Sequence, residues 1–242
     1  MPRFEVLNKA DEARAKVYIY GDIGETFWGD GITAKEFAEQ LDAIDADKPV
    51  DIHIDSGGGD VYAGFAIASA IQRHGGETTA YIDGMAASAA SYVAAVCDRV
   101  VMNDYSTLMI HDSWACCAGN AGQLREMASR LDVIDEAIAG VLSKRSALTY
   151  DEVREAMHAE TWYTAEEAAE VGFCDAVVET GEKVAACVSR EAAKACRNLP
   201  DWVTVADAAP EDVATSHAPD TMTADNPEAG RAVLLGNKVV RL

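Results

Sequence analysis

The sequence predicts an α/β fold: repeated strand-helix units around a mostly parallel sheet, with one long helix projecting from it. Three observations carry this. Strand-like and helix-like patterns alternate from Lys16 to Val96, and such alternation closes into parallel strands joined by right-handed crossovers. The run from Ala121 to Ser146 keeps a helical spacing of apolar residues across about seven turns. Of the 242 residues 49% are hydrophobic, which is enough for one good-sized core and an appendage.

After a polar lead-in, KVYIYGDI reads as a strand and TAKEFAEQLDAI as an amphipathic helix opened by a Thr33/Glu36 capping box. VDIHIDS is a short strand ending in glycines. DVYAGFAIASAIQRHGG reads as a helix closed by Gly75 and Gly76, ETTAYIDG as a strand, and Ala86 to Val96 as a helix of small residues. DRVVMN and STLMIHDS are two short strands separated by a turn. In the long run that follows, Leu124, Met127, Leu131, Ile134, Ile138 and Leu142 recur at helical intervals. Thr149/Glu152 and Thr164/Glu167 open two more helices by reciprocal capping, with ETWY as a brief extended piece between them and FCDAVVE as a late strand. Beyond about Arg197 the composition turns rich in Pro, Asp, Ala and Thr without a sustained period, as in a linker or tail. The expected organisation is therefore a domain at 1–196 and an acidic, Pro/Ala-rich tail at 197–242. Its apolar end, RAVLLGNKVVRL, reads as a terminal strand, an oligomer contact or a docking peptide.

Charge and cysteine usage exclude several classes. Acidic residues outnumber basic ones by 41 to 20, and a formal charge of −21 repels phosphate backbones and anionic lipid. Nucleic acid and membrane surfaces are thus not expected partners. With no leader pattern at Met1 and no run of about 18 apolar residues, a cytoplasmic location is expected. The six cysteines are scattered, which favours reduced thiols over a disulfide framework. No C-x-x-C or H-E-x-x-H occurs and the five histidines lack ligand spacing, so no metal and no cofactor are expected.

Four places can carry chemistry. In HIDSGGGDVYAG, Gly57, Gly58 and Gly59 stand between a strand and a helix, where bare backbone N–H groups can face an anion or oxyanion. A plain tight turn explains the same residues. Ser88, in GMAAS, is either a helix cap or a nucleophile held at a strand-to-helix turn. His111 sits where an apolar strand runs out, a place equally suited to a structural histidine, and Glu160 precedes TWY as an acid that could simply be solvated. Ser91 reads as a packing residue, Cys116 and Cys117 as packing or strand residues, and His158 as a surface histidine.

Taken together and in this order, these segments resemble the ClpP family of serine peptidases. The glycine turn, GMAAS, MIH at a strand end, and an acid before an aromatic and TAEEAAEVGFCD carry the resemblance, from about Tyr18 to Val178. Within the family, YGDIGETFWGDGITAKEFAEQL looks most like the phage head-maturation (prohead) proteases of ClpP type. The resemblance implies a ClpP/crotonase-like fold, Ser88 as nucleophile, His111 as general base, and Glu160 in the place of the usual orienting aspartate. Asp112 and Asp175 are the alternative acids, although Asp112 follows the histidine in a strand and should point to the other face. Backbone N–H groups of Gly59 and Ala89 would form the oxyanion hole, with Gly58 shaping the turn. Gly57 stands where the family commonly has proline, which implies a more flexible loop. Substrate would lie extended along strand edges near Gly58–Val61 and Ala115–Gly119, making Gly58, Val61 and Gly119 substrate-binding residues.

The function implied is an ATP-independent serine endopeptidase, a ring-shaped homo-oligomer cleaving capsid or scaffold proteins during phage head maturation. No ATP-binding motif is present, so energy-driven unfolding would come from another protein. The alternatives are a bacterial ClpP-like peptidase serving a partner ATPase, an acyl-CoA enzyme using the glycine turn for an enolate, and a non-catalytic assembly factor of the same fold.

Overall fold

The computed structural model describes residues 13–24, 31–179 and Asn198 in full, and the strands at 3–7, 25–26, 29–30, 187–189, 204–206, 232–235 and 238–241 as backbone. The chain divides into a unit of residues 1–208 and one of residues 209–242.

In the first unit, strands β1 (Arg3–Leu7), β2 (Ala15–Tyr20), β3 (Glu25–Thr26) and β4 (Gly29–Asp30) precede helix α1 (Ala34–Asp42). Then β5 (Val50–Ser56), α2 (Val61–Arg73), β6 (Thr78–Ala87), α3 (Ala89–Ala95), β7 (Arg99–Asn103) and β8 (Thr107–Ile110) follow. Helices α4 (Ala121–Arg145) and α5 (Tyr150–Ala159), strand β9 (Thr161–Thr164), α6 (Ala165–Glu170), β10 (Ala176–Val178), β11 (Cys187–Ser189) and β12 (Thr204–Ala206) complete it. The second unit holds an antiparallel pair, β13 (Ala232–Leu235) with β14 (Lys238–Arg241), within the apolar terminal segment. Of the expected tail at 197–242, Asn198, β12 and this pair are described; the rest lies outside the described residues.

The expected parallel sheet is present. Its order is β1-β2-β5-β6-β7-β10; β2, β5, β6, β7 and β10 run parallel, and β1 is antiparallel to β2. Alternate residues of one sheet face point into the core: Val17, Ile19, Ile52, Ile54, Ala80, Ile82, Val100 and Met102 are all at most 1% exposed. Strand β6 changes neighbour along its length. Its first half pairs with β7 from Thr79 to Ile82, and its second half pairs with β8 from Met85 to Ala87. Between them the β5–β6 register slips, and a Cβ on Gly84 would sit 2.7 Å from an Asp55 carboxylate oxygen. The sheet forks there, and β9 joins β8 antiparallel on the outer branch.

The fork corrects one expectation. Helix α3 begins at Ala89, not Ala86, because Met85, Ala86 and Ala87 are held in the β8 ladder. Helix α2 is also closed differently: His74, extended, caps it while its ring nitrogen Nε2 lies 2.8 Å from the Lys48 carbonyl oxygen. Gly75 and Gly76 serve close packing, since a Cβ on Gly76 would lie 2.3 Å from that oxygen. The long helix is as expected, with a reciprocal Asn120/Gln123 box at its start, but only its second half is buried, through Asp135, Ile138, Ala139 and Leu142. In its first half Leu124 and Val133 are exposed. An open groove runs between α2 and α4, lined by Tyr62, Phe65, Val133 and Ile134. Among the described residues no helix is long and apolar enough to cross a membrane.

Candidate active site

Ser88 stands where the sheet forks, between β6 and α3, with φ 53° and ψ −120°. A non-glycine residue at positive φ is strained and persists only when its surroundings over-determine it. They do so here. Its N–H donates to the Met109 carbonyl at 3.0 Å, tying it to β8, and its own carbonyl accepts from the Ser91 N–H at 3.0 Å. Ala86, Ala87, Ala89 and Ala90, each at most 2% exposed, let the strand, turn and helix crowd together. Ser88 makes no side-chain cap. Its hydroxyl instead lies 2.7 Å from His111 Nε2.

His111 directly follows β8, which pairs with β6 at Ala87↔Met109, so the ladder that fixes the serine also carries the histidine to it. On its other side β8 pairs with β9 at Met109↔Trp162 and Ile110↔Thr161. His111, directly after β8, and Glu160, directly before β9, flank the end of that ladder. Glu160 is only 4% exposed and adopts φ 54° as the left-handed cap of α5. A solvated surface acid is therefore not what the structure contains.

The glycine turn packs directly against the Ser88 turn. Gly58 has φ 94°, and a Cβ there would lie 2.7 Å from Ala87 O and 2.8 Å from Ala89 N. Gly59, at φ 146°, would drive a Cβ to 2.1 Å from Ile23 O. The Gly58 carbonyl accepts from Ile23 N–H and the Asp60 N–H donates to Ile23 O, which bind one edge of the turn. Gly58 N–H is taken by Ser56 Oγ at 3.1 Å. The Gly59 and Ala89 N–H groups make no hydrogen bond among the described residues. They remain open to an incoming oxygen beside Ser88.

Against this geometry, the family profile described as Clp protease matches residues 14–181. The chain belongs to the Clp protease family. The "ATP-dependent Clp protease proteolytic subunit" of Porphyromonas gingivalis is 31% identical over 145 residues, covering 59% of this chain and 65% of that subunit, just under two thirds of its length. The subunit of the same description from Bacteroides fragilis is 30% identical over 154 residues, covering 62% and 74%. The one from Bacteroides thetaiotaomicron is 30% identical over 154 residues, covering 62% and 70%. Clp proteases are serine-type endopeptidases, and a serine hydroxyl beside an imidazole is an arrangement that suits a nucleophile and its base. These relatives are bacterial proteolytic subunits, so the family assignment stands at that level and not at the narrower phage type.

Other Clp-motif residues fall as follows. Asp112 looks away from the serine, as expected: its carboxylate is 3.1 Å from Arg154 Nη1 and 2.9 Å from His158 Nδ1, both on α5. Asp175 pairs with Arg145 and accepts from Val100 N–H at 2.7 Å, joining the end of α4 to the sheet. Val61 was expected on an extended edge but opens α2, capped by Asp60, so the extended part of that edge stops short of it. Residues 115–119 form no strand either. No strand pairs with them among the described residues, and Ala115–Gly119 is exposed coil; Gly119 precedes the Asn120 cap of α4, and Cys116 and Cys117 are exposed instead of packed. Burial pushes the Cys97 thiol up to about 12 and raises that of Cys174, so neither buried thiol is a nucleophile near neutral pH.

Three site features escaped sequence reading. Ser56 holds the glycine turn from within. Tyr92 OH donates to Val61 O at 2.9 Å, and a Cβ on Gly64 would lie 2.3 Å from that hydroxyl, so α2 and α3 meet closely under the site. Asn198 reaches Glu160, as described below. Only the first had a legible signal, a serine two residues before a glycine in a turn.

Proposed function

We propose that the chain cleaves polypeptides through an acyl-enzyme on Ser88, with His111 as general base, Glu160 as the acid that orients the imidazole, and Gly59 and Ala89 as oxyanion donors. The observation that carries this is the 2.7 Å approach of Ser88 Oγ to His111 Nε2 from a strained turn. Ser88 Oγ attacks the scissile carbonyl while His111 Nε2 takes its proton; the oxyanion settles on the two open N–H groups. Collapse of the intermediate expels the amine, which takes the proton from the imidazolium. Water then attacks the acyl-enzyme by the same route and frees Ser88. An extended substrate would lie beside Gly58, with Val61 and Gly119 bordering the cleft.

A ring-shaped homo-oligomer fits the exposed apolar residues Tyr62, Trp114, Leu124 and Val133. Work beside a partner ATPase is the reading favoured by the names of the bacterial relatives, which are ATP-dependent proteolytic subunits. Cleavage of capsid or scaffold proteins in phage head maturation is the second reading. It rests on the segment from Tyr20 to Leu41, which carries the β3–β4 pair and resembles head-maturation proteases.

A fluorophosphonate probe tests the chemistry: an adduct mapped to Ser88, absent in Ser88→Ala and weak in His111→Ala, is expected. No adduct on the assembled protein would instead mark a non-catalytic assembly factor. Co-purification with a ring ATPase, against cleavage of procapsid protein without one, separates the two biological readings.

A further inference from the structure

We propose that Asn198, far along the chain from the rest of the site, is a positioning residue that acts through Glu160; the inference rests on the reading of Glu160 as the orienting acid. The Asn198 N–H donates to Glu160 Oε1 at 2.9 Å, and its side-chain Nδ2 donates to the Ala159 carbonyl at 3.1 Å. The two bonds bracket the Ala159–Glu160 peptide, at the end of α5 where helix carbonyls lack intrahelical donors. Glu160 is buried and at positive φ, a conformation that needs outside support. A glutamate also has three side-chain torsions to fix before its carboxylate can hold an imbedded ring. A donor on one oxygen removes that freedom and leaves the second oxygen for the imidazole. Asn198 thus sets the place of the acid without touching substrate.

The test uses the full-length chain and separates kcat from KM on a peptide substrate. Asn198→Pro deletes the backbone donor and is expected to lower kcat about 10-fold, as for a hydrogen bond to a charged group, with KM unchanged. Asn198→Ala keeps the backbone donor and loses only the bond to Ala159, so it should keep most of the wild-type kcat. Glu160→Gln is the control background, in which Asn198→Pro should add nothing. A wild-type kcat in Asn198→Pro, a raised KM in place of a lowered kcat, or a full extra loss from Asn198→Pro on top of Glu160→Gln, overturns the inference. Wild-type activity in Glu160→Gln would overturn the assignment of the acid itself, a result distinct from silence at Asn198 alone.

Discussion

The Ser91 hydroxyl donates to the Ser88 carbonyl oxygen at 2.6 Å, and the Ser91 N–H donates to the same oxygen at 3.0 Å. The two serines of the small-residue helix therefore have separate duties. Ser88 turns its hydroxyl to His111, while Ser91, 1% exposed, holds the strained carbonyl behind it. Ser91→Ala should lower stability by about 1 kcal/mol, the net value of one buried hydrogen bond, yet leave fluorophosphonate labelling of Ser88 intact. Loss of labelling with the fold preserved would give Ser91 a direct part in the chemistry.

The three consecutive glycines should respond unequally. At Gly57 a Cβ would meet only Met85 Cε, at 3.8 Å, so Gly57→Ala fits and should raise stability by about 0.4–1 kcal/mol through the unfolded chain. At Gly58 the same methyl group collides with backbone on the Ser88 turn. Gly58→Ala should cost about 10²–10³ in kcat/KM, the effect of a lost oxyanion donor. Peptide turnover and urea unfolding of both variants provide the check; equal activity in the two would show that the turn does not shape the hole.

Arg154 stands between two carboxylates, with Nη1 3.1 Å from Asp112 and 3.7 Å from Asp135. Asp135 is buried and also accepts from Ser113 N–H at 2.7 Å, so this group anchors the chain just beyond His111. Arg154→Met should destabilise by about 2 kcal/mol, because it leaves a buried charge without its cation. His158→Ala, at an exposed partner of Asp112, should change stability by less than about 0.5 kcal/mol. Denaturant midpoints of the two variants decide this, and a silent Arg154→Met would remove the anchor.

Cys97 links burial to alkaline stability. Desolvation raises its thiol to about 12 in the folded protein, whereas a free thiol ionises near pH 8.5. Across that window the folded state keeps the proton and the unfolded state releases it, so stability falls as pH rises from about 8.5 towards 12. Cys97→Ala should flatten the decline. Unfolding free energies at pH 8 and pH 10 measure it; an unchanged slope would place the ionising group elsewhere.

Much of the fold was legible because its signals are local. Thr149/Glu152 and Thr164/Glu167 form the reciprocal boxes their spacing predicts, and VDIHIDS is a strand from Val50 to Ser56. Asn120/Gln123 is a third box that the same spacing could have revealed. Periodicity failed where pairing overrode it. Ala86 and Ala87 suit a helix by composition, but the β8 ladder holds them extended. The family resemblance implied a strand edge at residues 115–119, but no strand lies beside them in the described chain. Tyr18, His53 and Tyr81 stack across β2, β5 and β6 at centroid distances of 4.9 and 5.1 Å. Each precedes an isoleucine in its strand, a repetition visible in the sequence only once the strands are aligned side by side.

By itself, the sequence determined the order of strands and helices, the caps that start the helices, and the glycines and small residues without which the Ser88 turn could not close. The order and the caps follow from hydrogen bonds and steric limits between residues near one another in the chain, and the glycines and small residues are legible as residue types. Tertiary structure decided that Ser88 leaves its capping role and meets His111, that Glu160 is buried, and that Asn198 reaches it from 38 residues away. Such choices depend on how a forked sheet brings distant segments into register, and no local pattern encodes which neighbour a strand will take.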